Sequence, residues 1–217
     1  MLCTECGEVI RPVVALDIDG TLGDYHGHFI RFAEMYIGRE LIGQYHGATS
    51  FSDWFGGNGV TLEQFRAIKL AYRQGGMKRS MPVFPGAVAL FNEINAYDVE
   101  LWVTTTRPYL SLDNIVPDTI HWLAQNGMTD FYGMLFDEDK YDTLVTRVDP
   151  ERIVAVIDDL PEMCDAADEA VGRNVALMVG TQYNSVYLSR RHALVDIYHW
   201  IGPAIEEWKE SHADLVR

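Results

Sequence analysis

Two carboxylates sit one residue apart in Asp17-Ile18-Asp19-Gly20-Thr21-Leu22, directly after the apolar run Val13-Val14-Ala15-Leu16. That run has the pattern of a buried strand, so the pair is expected where a strand ends and a turn begins. Alternate strand residues share a face, and Gly20 lets the chain turn sharply just beyond. Carboxylates this close do not both stay ionised unless a cation or a shared proton relieves them. By itself the string is also the pattern of an Asx turn, with Asp19 capping the backbone beside Gly20.

The arrangement recurs. Ile153-Val154-Ala155-Val156-Ile157 is followed by Asp158-Asp159, and Leu101-Trp102-Val103 by Thr104-Thr105-Thr106-Arg107. Lys140 lies between these two segments in an acidic stretch, Asp137-Glu138-Asp139, where a surface lysine is the alternative. In an open α/β sheet, ligands bind outside the carboxyl ends of the strands. Four acids, a hydroxyl cluster and a lysine would meet there. Hard oxygen ligands suit Mg2+, and hydroxyl and ammonium donors suit phosphoryl oxygens.

Asp17-x-Asp19-Gly20-Thr21-Leu22, Thr105-x-Arg107, Lys140 and Asp158-Asp159 resemble, in order and rough spacing, the four motifs of the haloacid-dehalogenase-like phosphohydrolases. The resemblance spans about residues 13–179. It implies a Mg2+-dependent phosphatase. Asp17 would be the nucleophile that forms an aspartyl phosphate. Asp19 would be the acid and then the base, with a raised pKa. Mg2+ would be held by Asp17, Asp158 and the main-chain carbonyl of Asp19, with Asp159 holding a metal water or orienting the loop. Thr105 and Lys140 would bind the phosphoryl oxygens. Three consecutive threonines leave the register open by one, so Thr106 stays a candidate phosphate ligand. Arg107 would touch substrate or pair with a surface acid.

Asp24-Tyr25, Asp139-Lys140 and the segment from Tyr198-His199-Trp200 to Trp208 resemble the 5'(3')-deoxyribonucleotidases, in which the aromatic matching Tyr25 stacks on the base. Thr21 and the Thr-Thr-Arg motif depart from that family's pattern. Thr119-Ile120-His121-Trp122-Leu123-Ala124-Gln125-Asn126-Gly127 instead resembles polynucleotide 3'-phosphatase domains. The expected partner is therefore a small phosphorylated substrate, a nucleotide by the first resemblance. A general small-metabolite phosphatase and a catalytically inactive nucleotide- or partner-binding module are the alternatives.

The elements that must position these groups follow from patterning. Strand signals also cover Tyr132 to Phe136 and Val175 to Val179, and helix signals cover Asp118 to Gln125, with Gly127 as its stop, and the stretch after Pro161. The expected fold is α/β, a Rossmann-like doubly wound parallel sheet. Residues 24–81 break the alternation. Phe29, Phe32, Ala33, Tyr36 and Ile37 follow helical spacing, and Thr61 with Gln64 forms a capping box ahead of Leu62, Phe65, Ile68 and Tyr72. This stretch resembles the small helical cap of the superfamily, inserted in a core of residues 1–23 and 82–217. Gly23 and Pro82 to Pro85 are the expected hinges. Most of these aromatics have core spacing, but Tyr25, Trp54 and Phe55 flank loops and are candidates for a substrate pocket.

Composition sets further bounds. The chain has 217 residues, 48% of them hydrophobic, and a net charge of −15. That charge argues against wrapping a long nucleic acid. No apolar stretch reaches membrane-span length, and no secretory signal pattern opens the chain. With an odd cysteine count, three, this points to a reducing cytoplasm. Cys3 and Cys6 form a CxxC, but zinc would need two more ligands. The size leaves a homodimer open.

Overall fold

The computed structural model describes residues 10–47, 50–108, 111–187 and 190–213. The Cys3/Cys6 pair lies outside them. Six strands form one parallel sheet: β1 (Val13–Asp17), β2 (Glu100–Thr105), β3 (Gly133–Phe136), β4 (Ile153–Asp158), β5 (Ala176–Val179) and β6 (Arg191–His192). Their order is β3-β2-β1-β4-β5-β6, so the chain reverses direction across the sheet beside β1. That crevice is where open α/β sheets bind ligands.

β1 and β2 are buried along their whole length, as expected of apolar strands covered on both faces. On one face, Val14, Leu16, Val103 and Ile157 pack with α4 (Ala87–Ala96), α5 (Ile115–Gln125) and α8 (Tyr198–Ser211). On the other, Val13, Ala15, Trp102 and Val156 pack with α6 (Lys140–Val145) and α7 (Pro161–Val171). The doubly wound sheet expected from the sequence is thus present. Pro161 opens α7 and Gly172, at φ 76°, ends it, a pairing that uses proline's fixed φ and glycine's freedom. α5 begins at Ile115, earlier than its apolar spacing indicates, because Pro117 is tolerated in a first turn.

Between β1 and β2 the chain adds α1 (Tyr25–Ile37), α2 (Phe51–Gly57), α3 (Leu62–Gln74) and a 3-10 turn, Met77–Ser80. Phe29, Ala33, Phe55, Val60, Phe65, Ile68 and Tyr72 form a separate apolar cluster within this insertion. The Thr61/Gln64 capping box is formed. The two connections to the sheet run side by side. Asp24 N donates to Pro82 O at 2.8 Å, Phe84 N to Leu22 O at 2.9 Å, and Gly23 bridges Val83. α5 anchors the returning strand: Trp122 Nε1 donates to Met81 O at 2.6 Å, and Arg79 pairs with the buried Asp118 at 2.6 Å. A Cβ on Gly23 would meet the end of the Met81 side chain and press on Trp122, so a larger residue here would displace Met81.

Trp122 is fully buried at that junction. Trp122→Ala is expected to cost about 3–5 kcal/mol through the cavity it leaves and to strand the Met81 carbonyl. Urea unfolding monitored by circular dichroism checks this; a loss below about 1 kcal/mol would show that the junction is not where Trp122 acts.

Candidate active site

The chain path delivers the acids to one edge of the sheet. Asp17 ends β1, Asp158 ends β4 beside it, and Asp159 follows. Lys140 opens α6, reached by the short connection after β3. One carboxylate oxygen from each of Asp17, Asp158 and Asp159 lies within 4.8 Å of the others, and all three residues are buried. Lys140 Nζ stands between two of them, 2.6 Å from Asp17 Oδ1 and 2.7 Å from Asp158 Oδ2. Its side chain is 1% exposed, so it is an interior lysine, not a surface residue of the acidic stretch.

Electrostatics follow from burial. Removal from water, with the Asp158 carboxylate nearby, pushes the Asp17 carboxyl up to about 7 against the pull of Lys140. Burial works against the Lys140 ammonium, but Asp158 and Asp17 outweigh it and raise its pKa. Asp159 is raised well above the carboxylate range by burial, then by Asp158 and Asp17. Asp158 also accepts from Tyr141 Oη at 2.6 Å and Leu160 N at 3.0 Å.

Asp19 is in a different environment. Arg107 grips it with two bonds, Nε to Oδ2 at 3.0 Å and Nη2 to Oδ1 at 2.6 Å, and Lys78 donates to the same Oδ2. Burial would raise this carboxyl, yet the Arg107 and Lys78 cations hold it well below its ordinary value. The expectation of a raised Asp19 is therefore corrected: the raised partner of the pair is Asp17. Asp19's carboxylate is also outside the acidic cluster, which leaves only its carbonyl for a metal. Arg107 is not a surface residue. It is 3% exposed and its remaining nitrogen, Nη1, donates to Thr119 Oγ1 at 2.7 Å.

The threonines separate by position. Thr104 pairs with Asp17 in register, is fully buried, and its Oγ1 has no hydrogen-bond partner. Alternation along β2 puts it on the Asp17 face. Thr105 ends the strand and is buried, whereas Thr106 is exposed. Thr106 is thus turned to solvent, away from the buried cluster.

The aromatic candidates also divide. Lys78 Nζ lies 3.9 Å from the centre of the Tyr25 ring, which also meets Phe29, Phe51 and Tyr72. That face is covered by a cation and cannot hold a base. Phe55 is fully buried in the insertion's own core. Trp54 stacks on Phe51, at 11° between planes, and packs against that same core. The aromatic stretch and the two glycines that end it, where a flexible loop is expected, fold together as α2.

Two residues with no motif belong to the site. Lys78 comes from the insertion's last turn and is 3% exposed. Tyr183, in the segment after β5, donates to Asp159 Oδ2 while Thr21 Oγ1 donates to Oδ1 at 3.1 Å. Asn184 fixes that segment through bonds to Asp159 O at 2.8 Å, Val179 O at 2.7 Å and Thr181 N at 2.9 Å. A Cβ on Gly20, at φ 106°, would overlap Asp159 and Tyr183, so glycine is required here by backbone and by space.

No protein-family profile and no curated protein matches the chain. Solved structures do. A HAD family hydrolase from Deinococcus radiodurans R1, with bound phosphate and sodium, is 17% identical with a TM-score of 0.62, covering 89% of this chain and 96% of that one. A Thermotoga maritima protein described as a β-phosphoglucomutase gives 16% and 0.56, covering 87% and 97%. CbbY from Rhodobacter sphaeroides, in complex with phosphate, gives 14% and 0.56, covering 87% and 96%. With the sheet order and the acids at its carboxyl edge, these similarities show that the chain has the fold of the haloacid-dehalogenase-like hydrolases.

Proposed function

We propose that the protein is a phosphomonoesterase that works through an aspartyl-phosphate on Asp17 and takes a small phosphorylated substrate. The observation that carries this is the buried cluster of Asp17, Asp158 and Asp159 with Lys140 set between two of its members. The similar folds from Deinococcus radiodurans and Rhodobacter sphaeroides hold phosphate, which supports the same ligand chemistry here.

The three carboxylates are hard oxygen donors close enough to share one cation, and they fit Mg2+. Asp17, Asp158 and the Asp19 carbonyl would hold it, with Asp159 beside them. When bound, the ion would offset the repulsion between carboxylate and phosphate and stabilise charge on the transferring group. Asp17 Oδ would attack phosphorus as the ester P–O bond breaks, and the leaving oxygen would take a proton. Water would then attack the aspartyl phosphate, returning Asp17 and releasing phosphate. Lys140 and the Thr104–Thr105 stretch would donate to phosphoryl oxygens.

Asp19 is proposed as the group that gives and regains the proton. It can accept one only when the grip of Arg107 and Lys78 loosens, and Lys78 is the arm that the insertion contributes. Lys78 takes one face of Tyr25, the ring that the nucleotidase resemblance would stack on a base, so that reading draws no support from Tyr25. The segment resembling 3'-phosphatase domains forms α5, where Thr119 braces Arg107 and Trp122 is core. It therefore gives no support for an oligonucleotide substrate.

Asp17→Asn is expected to lower turnover of p-nitrophenyl phosphate by roughly three orders of magnitude or more, with an unchanged circular dichroism spectrum. Near-normal turnover would remove Asp17 from the nucleophile role. Asp19→Asn is expected to lose about 10²–10⁴-fold on an alkyl phosphate and much less on the activated aryl ester, whose leaving oxygen needs little protonation. Equal losses would make Asp19 structural. Because a protonated Asp17 cannot ligate, Mg2+ affinity is expected to rise as pH passes upward through about 7. Calorimetry on either side of that value checks this; a flat profile would contradict the raised Asp17.

A further inference from the structure

A cavity of about 940 Å³ opens between the insertion and the segment after β5. Its lining includes His26 and Ile30 of α1, Tyr45 of the following loop, Phe84, Tyr183 and Arg191. This is the upper part of the ordinary size range for small-ligand sites. None of the catalytic candidates lines it, yet it touches the acidic cluster through one side chain. Tyr183 forms part of its wall, and the Tyr183 hydroxyl donates to Asp159.

Three rings make one side of the cavity. His26 and Tyr45 lie 5.4 Å apart at 25°, Tyr45 and Tyr183 5.8 Å apart at 27°, and His26 and Tyr183 4.3 Å apart. The first two pairs are near-parallel, in offset-stacking geometry, and the third is tilted at 49°. Two of them come from the insertion and one from the core, so a planar ligand stacked here would bridge both. Burial draws the His26 imidazole down to about 4. At neutral pH it is an uncharged ring, suited to stacking and not to clamping an anion.

Ile30 and Phe84 add aliphatic and ring surface to the lining. Gln44, Thr181, Gln182 and Ser185 add polar groups to the lining, so it is the three rings, not a dry wall, that favour a flat heterocycle over a polyhydroxylated sugar. Polar groups for the heterocycle's edge are present. Arg191 Nη2 is committed to Thr181 O at 2.7 Å, but Arg191 Nε has no partner, and neither has His26 Nδ1. Buried polar atoms without partners are uncommon in native proteins and mark places where a group is missing.

We infer that this cavity holds the leaving group of the phosphate ester, and that this group is a planar heteroaromatic ring of nucleobase size. The inference rests on the phosphohydrolase reading for the word "leaving"; the ring site itself rests on the cavity.

The test uses the full chain and unphosphorylated probes, thymidine and adenosine, with glucose as the comparison, titrated by calorimetry. At least one nucleoside is expected to bind saturably and glucose not. Tyr45→Ala is expected to weaken that binding roughly ten-fold or more, the usual loss of one base–aromatic stack, and Tyr45→Phe to restore it. The Phe variant separates lost stacking from lost folding. No saturable binding of either nucleoside overturns the inference, as does binding that Tyr45→Ala and His26→Ala both leave intact. If simple phosphate esters are still cleaved in an Asp17-dependent way, the phosphohydrolase reading survives that failure. Nucleoside binding with no ester cleaved supports the ring site and overturns the phosphohydrolase reading alone.

Discussion

A lysine with almost no contact with water, held between two carboxylates, is the constraint on which the rest of this structure depends. Lys140 reaches Asp17 at 2.6 Å and Asp158 at 2.7 Å. Taking any one of these charges out of water alone would cost several kcal/mol. Each is tolerable only because the others are in place. β1 and β4 must therefore be neighbours that end at the same level, and α6 must begin where its first residue can turn inward. The parallel sheet provides the first condition through the β1–β4 register. Tyr141 assists with the second by donating to Asp158.

The two acids of Asp17-Ile18-Asp19 then behave oppositely, although two positions separate them. Asp17 faces acids and one shared cation, and its pKa rises. Asp19 faces two cations, and its pKa falls. Strand geometry puts Asp17 in the interior, and the turn at Gly20 carries Asp19 toward the insertion, where Lys78 is. Part of the site's charge balance is thus supplied by a segment outside the sheet.

Much of this was legible in the residues. Buried parallel strands are nearly continuous apolar runs, so Val13–Leu16 and Ile153–Ile157 stand out, and the acids after them mark strand ends. The capping box at Thr61 and Gln64 is local chemistry and is read locally. What stayed hidden was non-local. Lys78 and Tyr183 have no motif; they matter because the fold brings them to Asp19 and Asp159 from 59 and 24 residues away. β6 has two residues and pairs only because β5 presents an open edge. Tyr25 and Phe55 looked like pocket residues because their neighbours are polar or glycine. The insertion's own core took Phe55, and Lys78 took one face of Tyr25. The register of the three threonines depended on which one faces Asp17, and pairing puts Thr104 there.

The paired crossing at Gly23 and Val83 bears on how such a chain is built. Where a loop's two ends are already hydrogen-bonded to each other, the loop between them can be exchanged without altering the sheet on either side. Strand order, the β1–β4 register and the contacts of Lys140 with Asp17 and Asp158 all lie outside residues 24–81. The replacement would not be neutral, because Lys78 and two of the three stacked rings would leave with it. Grafting a foreign insertion onto this sheet would keep the surroundings of Asp17 while removing one of the two cations on Asp19 and reshaping the cavity lined by His26 and Tyr45.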